Sequence, residues 1–241
     1  MNLNSRQLKD NISHNVLGVA MVILALVAGC ASEPPAIDMS PDADVTFDGL
    51  HEVKHAAAAK AWAKPGADLA GYTKIMLQGS GIEYRPGGET SRSTFARSTS
   101  SEFALTEKQK ARFREVVGEV FIDELGKSEK FTLVNEPGAD VLLVRGALLD
   151  VVSFVPPEQM GRGGIYLDEI GEVTLVLEIR DSVTEAIYVR VADRAAIGDD
   201  GMMRESNRAT NTAEVRQTVR RWASMLRKRL DSFSGYANEI E

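Results

Sequence analysis

The feature that most constrains the fold is the stretch 172–180, EVTLVLEIR. Val173, Leu175, Leu177 and Ile179 alternate with Glu172, Thr174 and Glu178. A period of two puts the apolar set on one face of a strand and the polar set on the other, so this strand belongs to a sheet with one covered face and one half-exposed face. A second strand over 186–195 follows the loop Asp181-Ser182-Val183-Thr184-Glu185, which makes the pair a hairpin. A covered face needs a cover, and two helical segments supply it. The first opens on Thr106 and Gln109, spaced as a capping box. It continues with Phe113, Val116, Val117, Val120, Phe121 and Leu125 at helical spacing, and Gly126 is a natural stop. The second starts near Asn211 with Glu214 at its third position. It turns Val215, Val219, Trp222, Leu226 and Leu230 inward, with Phe233 near its end.

Three further strands are expected. Residues 73–85 have strand composition, and Gly79 and Gly81 mark a bulge or bend. Residues 131–134 form a short strand before the turn Asn135-Glu136-Pro137-Gly138, and the VLLV run at the start of 141–155 reads as buried on both faces. Residues 56–63, AAAAKAWA, are helical by composition and stop at Pro65-Gly66. The stretches 86–101 and 156–164 read as polar loops. The resulting order, β–α–β–β–β–β–α, predicts an α+β fold: a mostly antiparallel sheet with two main helices packed against it.

The N-terminus carries an address. Arg6 and Lys9 precede an uncharged apolar run over 16–28, VLGVAMVILALVA. It is shorter than the ~20 residues of a membrane span and suits the core of a signal peptide. It ends at Val27-Ala28-Gly29-Cys30, which resembles the lipobox of bacterial lipoproteins, and Cys30 is the chain's single cysteine. That resemblance implies diacylation of Cys30 after removal of 1–29. With Ala31 and Ser32 next and no Asp at the second position, sorting by the Gram-negative pattern implies the outer membrane, facing the periplasm. The organisation expected is a signal peptide over 1–29, the lipidated cysteine and a Pro- and acid-rich linker over 30–47, one α+β domain over 48–235, and a tail over 236–241. The membrane, reached through the anchor at Cys30, is then one partner; an envelope protein or a second copy of the chain is the other.

The formal net charge of −7 argues against a duplex-binding surface, which works by releasing counterions from phosphates. One cysteine rules out an internal disulfide framework. The sharpest motif is His51-Glu52-Val53-Lys54-His55, a literal H-E-x-x-H. On a helix its imidazoles could hold zinc while Glu52 activates a bound water, as in a tethered hydrolase. No histidine lies downstream to serve as third ligand, and Lys54 sits inside the motif, so no metal or other cofactor is expected. Gly79-Ser80-Gly81 is no nucleophile elbow, and Gly161-Arg162-Gly163-Gly164 lacks the Lys-Ser/Thr of a phosphate cradle. The pair Asp199-Asp200 ahead of Gly201 reads as a turn. The basic face of the second helix, with Arg216, Arg220 and Arg227 among its cations, is the candidate surface for an anionic partner.

A family resemblance rests on Ala67-Asp68-Leu69, Tyr72-Thr73-Lys74-Ile75-Met76-Leu77, Pro137-Gly138-Ala139-Asp140-Val141-Leu142, and Glu178-Ile179-Arg180-Asp181-Ser182 followed by Thr184-Glu185. These phrases are similar to an uncharacterised bacterial lipoprotein family, domain-of-unknown-function family 3313, over roughly residues 48–233. The family pattern usually places a Gly between the Thr and the Glu of the hairpin, and this chain lacks it. The resemblance implies no activity, cofactor or catalytic residue. It leaves a non-enzymatic binding or adaptor module of the cell envelope as the expected function.

Overall fold

A computed structural model describes residues 33–86, 102–156 and 164–233. The compact unit that begins at Ala36 contains every element. In chain order these are β1 (Ala36–Ile37), β2 (His51–Lys54), β3 (Lys60–Ala63), β4 (Lys74–Tyr84), α1 (Glu107–Leu125), β5 (Thr132–Val134), β6 (Val141–Ser153), β7 (Tyr166–Leu167), β8 (Gly171–Asp181), β9 (Ile187–Ile197), β10 (Arg204–Glu205) and α2 (Arg208–Phe233). Eight strands form one sheet in the order β1-β2-β3-β9-β8-β6-β4-β5, and β7 and β10 form a separate ribbon. All pairings in the large sheet are antiparallel except β4 with β5 and β4 with β6. Those parallel pairs follow from α1, which carries the chain from the end of β4 back to where β5 and β6 begin.

The alternation in β8 is realised along its whole length. Val173, Leu175, Leu177 and Ile179 are buried, while Glu172, Thr174, Glu178 and Arg180 are half-exposed on the opposite face. The buried set joins Ile75, Leu142, Val144, Leu148, Ala195 and Ile197 from neighbouring strands, together with Leu125 of α1 and Trp222 and Leu230 of α2. Both helices therefore cover one face of the sheet, and they meet through Val116, Val120 and Val219. Thr106 and Gln109 close the expected capping box at the start of α1. α2 begins a turn earlier than its apolar pattern indicates, because Asn207 caps it by accepting from the amides of Ala209 and Thr210. Trp222 is 3% exposed, and its indole donates to Asp193 of β9 at 2.7 Å.

Two local readings are corrected. The helix expected over 56–63 is instead the strand β3, because Ala61 and Ala63 pair with β9 at Val191 and Val189 and Ala61 is buried there. Tertiary pairing overrides alanine's helical preference. The ordered chain also reaches back to Ala36, into the stretch read as linker: β1 pairs with β2, and Asp38 N donates to Glu52 O at 2.8 Å. Among the described residues no helix is long and apolar enough to cross a membrane.

Candidate functional site

Glycines on three elements converge between α1 and the sheet. Gly79 and Gly81 flank a register shift in β4, and Gly146 of β6 stands opposite Gly79. On α1 the stripe Arg114, Val117, Gly118, Phe121 and Ile122 faces the same place, one helical side at spacings of three and four. The absent side chains leave a groove of about 370 Å³, walled by Leu77, Ile82, Leu148 and Leu177. A Cβ placed on Gly79, Gly81 or Gly118 would meet nothing within 4 Å, so the hollow reaches the backbone itself. Gly146 is tighter, with a Leu177 methyl 3.2 Å from where its Cβ would be. Ile122, 58% exposed, forms an apolar lip. Arg114 is exposed on the same stripe; among the described residues it makes no ion pair within 4 Å, and its charge acts at longer range on Glu107 and the Tyr84 phenol. Lys110, one turn earlier, is engaged by Glu107 at 2.8 Å and lies 5.1 Å from the Tyr84 ring centre.

A second cluster locks the β8–β9 hairpin. Asp181 Oδ1 accepts from the Val183 amide at 2.9 Å, the Thr184 amide at 2.6 Å and the Thr184 hydroxyl at 2.9 Å. Its Oδ2 accepts from the Tyr72 hydroxyl at 2.6 Å, which also meets the Tyr188 hydroxyl at 2.8 Å. The Tyr72 bond, followed by the Thr184 amide, holds the Asp181 carboxyl down to about 2. Burial, and then the same bond, push the Tyr72 phenol well above its ordinary range. Ser182 ties this hairpin to the β5–β6 turn, accepting from Gly138 N at 3.1 Å and donating to Gly138 O at 3.0 Å. Asp140 does the same for the start of β4, accepting from the Thr73 hydroxyl at 2.9 Å and the Lys74 ammonium at 3.0 Å. With four donors holding Asp181 ionised and its folded value at about 2, it is a weak base at neutral pH, and its bonds all run within the fold, which is the pattern of a structural lock.

The structure disperses the H-E-x-x-H residues. His51 lies in β2, with its Nδ1 2.9 Å from the Asp38 carbonyl. Glu52 is held by Lys54 at 2.8 Å and Lys60 at 3.0 Å, which keep its carboxyl below the usual range. His55 falls in the turn after β2 with φ of 55°. A helix stacks positions four apart on one side, whereas an extended strand advances ~3.3 Å per residue and separates them. The helical geometry required by the zinc hydrolase alternative is therefore not formed. Among the described residues no group of three or more His, Cys, Asp or Glu is placed to hold a metal ion.

The basic face of α2 is also reorganised. Arg216 pairs with Glu119 and Arg220 with Glu124, both on α1, and Arg227 pairs with Asp231 at 3.3 Å. Arg216 and Arg220 thus tie the two helices together, Arg220 staying exposed, and Arg208, Arg221, Lys228 and Arg229 are exposed on α2 as well. Asp200 of the acidic pair is engaged by Arg204. Cys30 and the segment 161–163 lie outside the described residues. Sequence reading missed Arg114 and Gly118, although a glycine interrupting a strong helical pattern is a signal for a packing or binding role.

A family model described as "Protein of unknown function (DUF3313)" matches residues 42–226. The chain belongs to that family. The DUF3313 match runs from the turn before β2 to Leu226 of α2, so it contains the groove and the Asp181 lock alike. No curated protein matches the sequence. Among solved structures, protein XCC0632 from Xanthomonas campestris is 12% identical, covering 74% of this chain and 94% of that one at a TM-score of 0.39. The PelC dodecamer from Paraburkholderia phytofirmans is 11% identical over 69% and 96%, with a TM-score of 0.33. A minor lipoprotein from Acinetobacter baumannii is 15% identical over 67% and 94%, with a TM-score of 0.31. These likenesses carry no functional argument for this DUF3313 chain.

Proposed function

We propose that the chain is an outer-membrane lipoprotein facing the periplasm, whose folded body is a non-enzymatic binding module for another envelope component. The observation that carries this reading is Val27-Ala28-Gly29-Cys30, a lipobox after an apolar run too short to span. Several acyl chains on one residue, each buried CH₂ contributing ~0.8 kcal/mol, anchor a protein without a membrane-crossing helix. The binding half of the reading rests on the groove beneath α1, an open apolar surface, whereas Asp181, Glu52, Arg216 and Arg220 are engaged within the fold.

The test is Cys30→Ala in cells fed labelled palmitate, followed by gradient separation of the two membranes. The parent takes up label and bands with the outer membrane; the variant is unlabelled and leaves that band. A variant that labels and bands like the parent removes Cys30 as the anchor.

A further inference from the structure

From the chemistry of the groove we propose that it binds a single-chain anionic amphiphile, an acyl chain ending in a carboxylate. The inference deepens the binding half of the proposed function and is independent of whether Cys30 is the anchor.

The walls are aliphatic and aromatic: Leu77, Ile82, Val117, Phe121, Leu148 and Leu177. Such a lining favours methylene groups, each worth ~0.8 kcal/mol when taken out of water. The glycines decide the shape. Wherever Gly79, Gly81 or Gly118 faces the hollow, the occupant can approach the backbone with no Cβ in the way. A volume of about 370 Å³ lies at the low end of small-molecule sites, which run ~300–1,000 Å³, so it suits one chain and not two.

Arg114 decides the head group. It lies on the groove-facing stripe of α1, is exposed to water, and makes no side-chain hydrogen bond or ion pair within 4 Å among the described residues, its charge reaching Glu107 only at longer range. Its neighbours on α1 are already engaged: Lys110 with Glu107 and Arg112 with Glu115. A guanidinium beside an apolar slot pairs with a carboxylate through two parallel N–H···O bonds while the tail lies along the slot. Glu107, two turns earlier on α1, feels the Arg114 charge but makes its contact pair with Lys110, so the guanidinium keeps its N–H donors for an occupant.

The experiment uses the full chain in washed membranes, with a diazirine-bearing palmitate as photoprobe. Light-dependent crosslinks are expected on the peptide carrying Arg114 to Ile122 and on β4, and unlabelled palmitate should compete them away. Gly118→Leu fills open space on the exposed side of a helix and should reduce crosslinking about tenfold, the loss of ~1.4 kcal/mol of binding. Arg114→Glu, also at an exposed position, should lose the palmitate probe and gain the corresponding photoactivatable alkylamine. This charge swap remains decisive if Gly118→Leu fails to fold. Crosslinks that do not saturate, that persist unchanged in both variants, or that join the groove to a second copy of the chain would overturn the proposal. None of these outcomes bears on Cys30, whose acylation is read separately by fractionation.

Discussion

Glu185 sits at φ of 58°, in the left-handed region that residues with a side chain avoid. Its amide closes the hairpin onto Asp181 O at 3.0 Å, so the turn requires that conformation. Here a glutamate carries the strain, about 1 kcal/mol by hard-sphere crowding. Glu185→Gly should raise stability by about 0.5 kcal/mol, the relief being partly offset by the freer unfolded chain, and urea titration would show a higher midpoint. The exposed Arg145 pair lost in the exchange is worth little. Asp181, four residues earlier, makes a pH-dependent contribution. Its folded value of about 2 lies below the ordinary carboxylate value, so its stabilisation is complete above about pH 4 and is lost as pH falls toward 2. Asp181→Ala should cost about 1.5–3 kcal/mol at neutral pH, the range for hydrogen bonds to a charged group, and should flatten this acid limb in a pH series of thermal midpoints. A limb as steep in the variant as in the parent would assign acid sensitivity to other carboxylates.

The strands and helices divide by how local their signals are. β8 is legible because alternation is written in consecutive residues, and α1 because its cap and apolar stripe lie within one segment. β3 is not legible, since what makes 60–63 extended is pairing with β9, and its neighbour Ala59 reaches Asp193 across 134 positions of sequence. The groove is hidden for the same reason. Gly79, Gly118 and Gly146 belong to three elements, and only the sheet register and the helix packing bring them together. α1 further has two apolar stripes, one through Val116 and Val120 toward α2 and one through Val117 and Phe121 toward the sheet, and the second is only partly covered. For α2, Trp222 is the central contact with both the sheet core and Asp193. Trp222→Ala should cost about 3–5 kcal/mol by opening a cavity in the core. Trp222→Phe keeps most of the volume but removes the indole bond to Asp193, whose other oxygen still accepts from the Ala59 amide, and should cost about 1–3 kcal/mol. Equal losses in the two variants would mean that the indole bond to Asp193, which both remove, and not the core volume, sets the stability of this helix against the sheet.

At the scale of the molecule, the question is where the folded body begins. Composition places the boundary near residue 47, where the Pro- and acid-rich stretch ends. The contacts place it earlier. Asp38 N donates to Glu52 O, Thr46 N to Leu50 O and Glu52 N to Asp44 O, so the chain from 36 to 50 is hydrogen-bonded onto the edge of the sheet. Asp48 pairs with Arg190 of β9 at 2.6 Å, on the half-exposed face where Glu178 holds the same guanidinium at 2.9 Å. Leu50 is fully buried just beyond. A chain starting at Ala36 should therefore unfold within a degree or two of one starting at Cys30. A chain starting at Gly49 loses those backbone bonds and the Asp48 pair, each worth about 1 kcal/mol net, and leaves β2 as an open edge. A loss of roughly 4 kcal/mol lowers the midpoint of a chain this size by about 8–16 °C, since 1 kcal/mol moves it ~2–4 °C. Calorimetry on the three chains decides the matter. If the chain starting at Gly49 melts with the other two, the segment before it is a passive part of the tether and the sheet is complete from β2 onward.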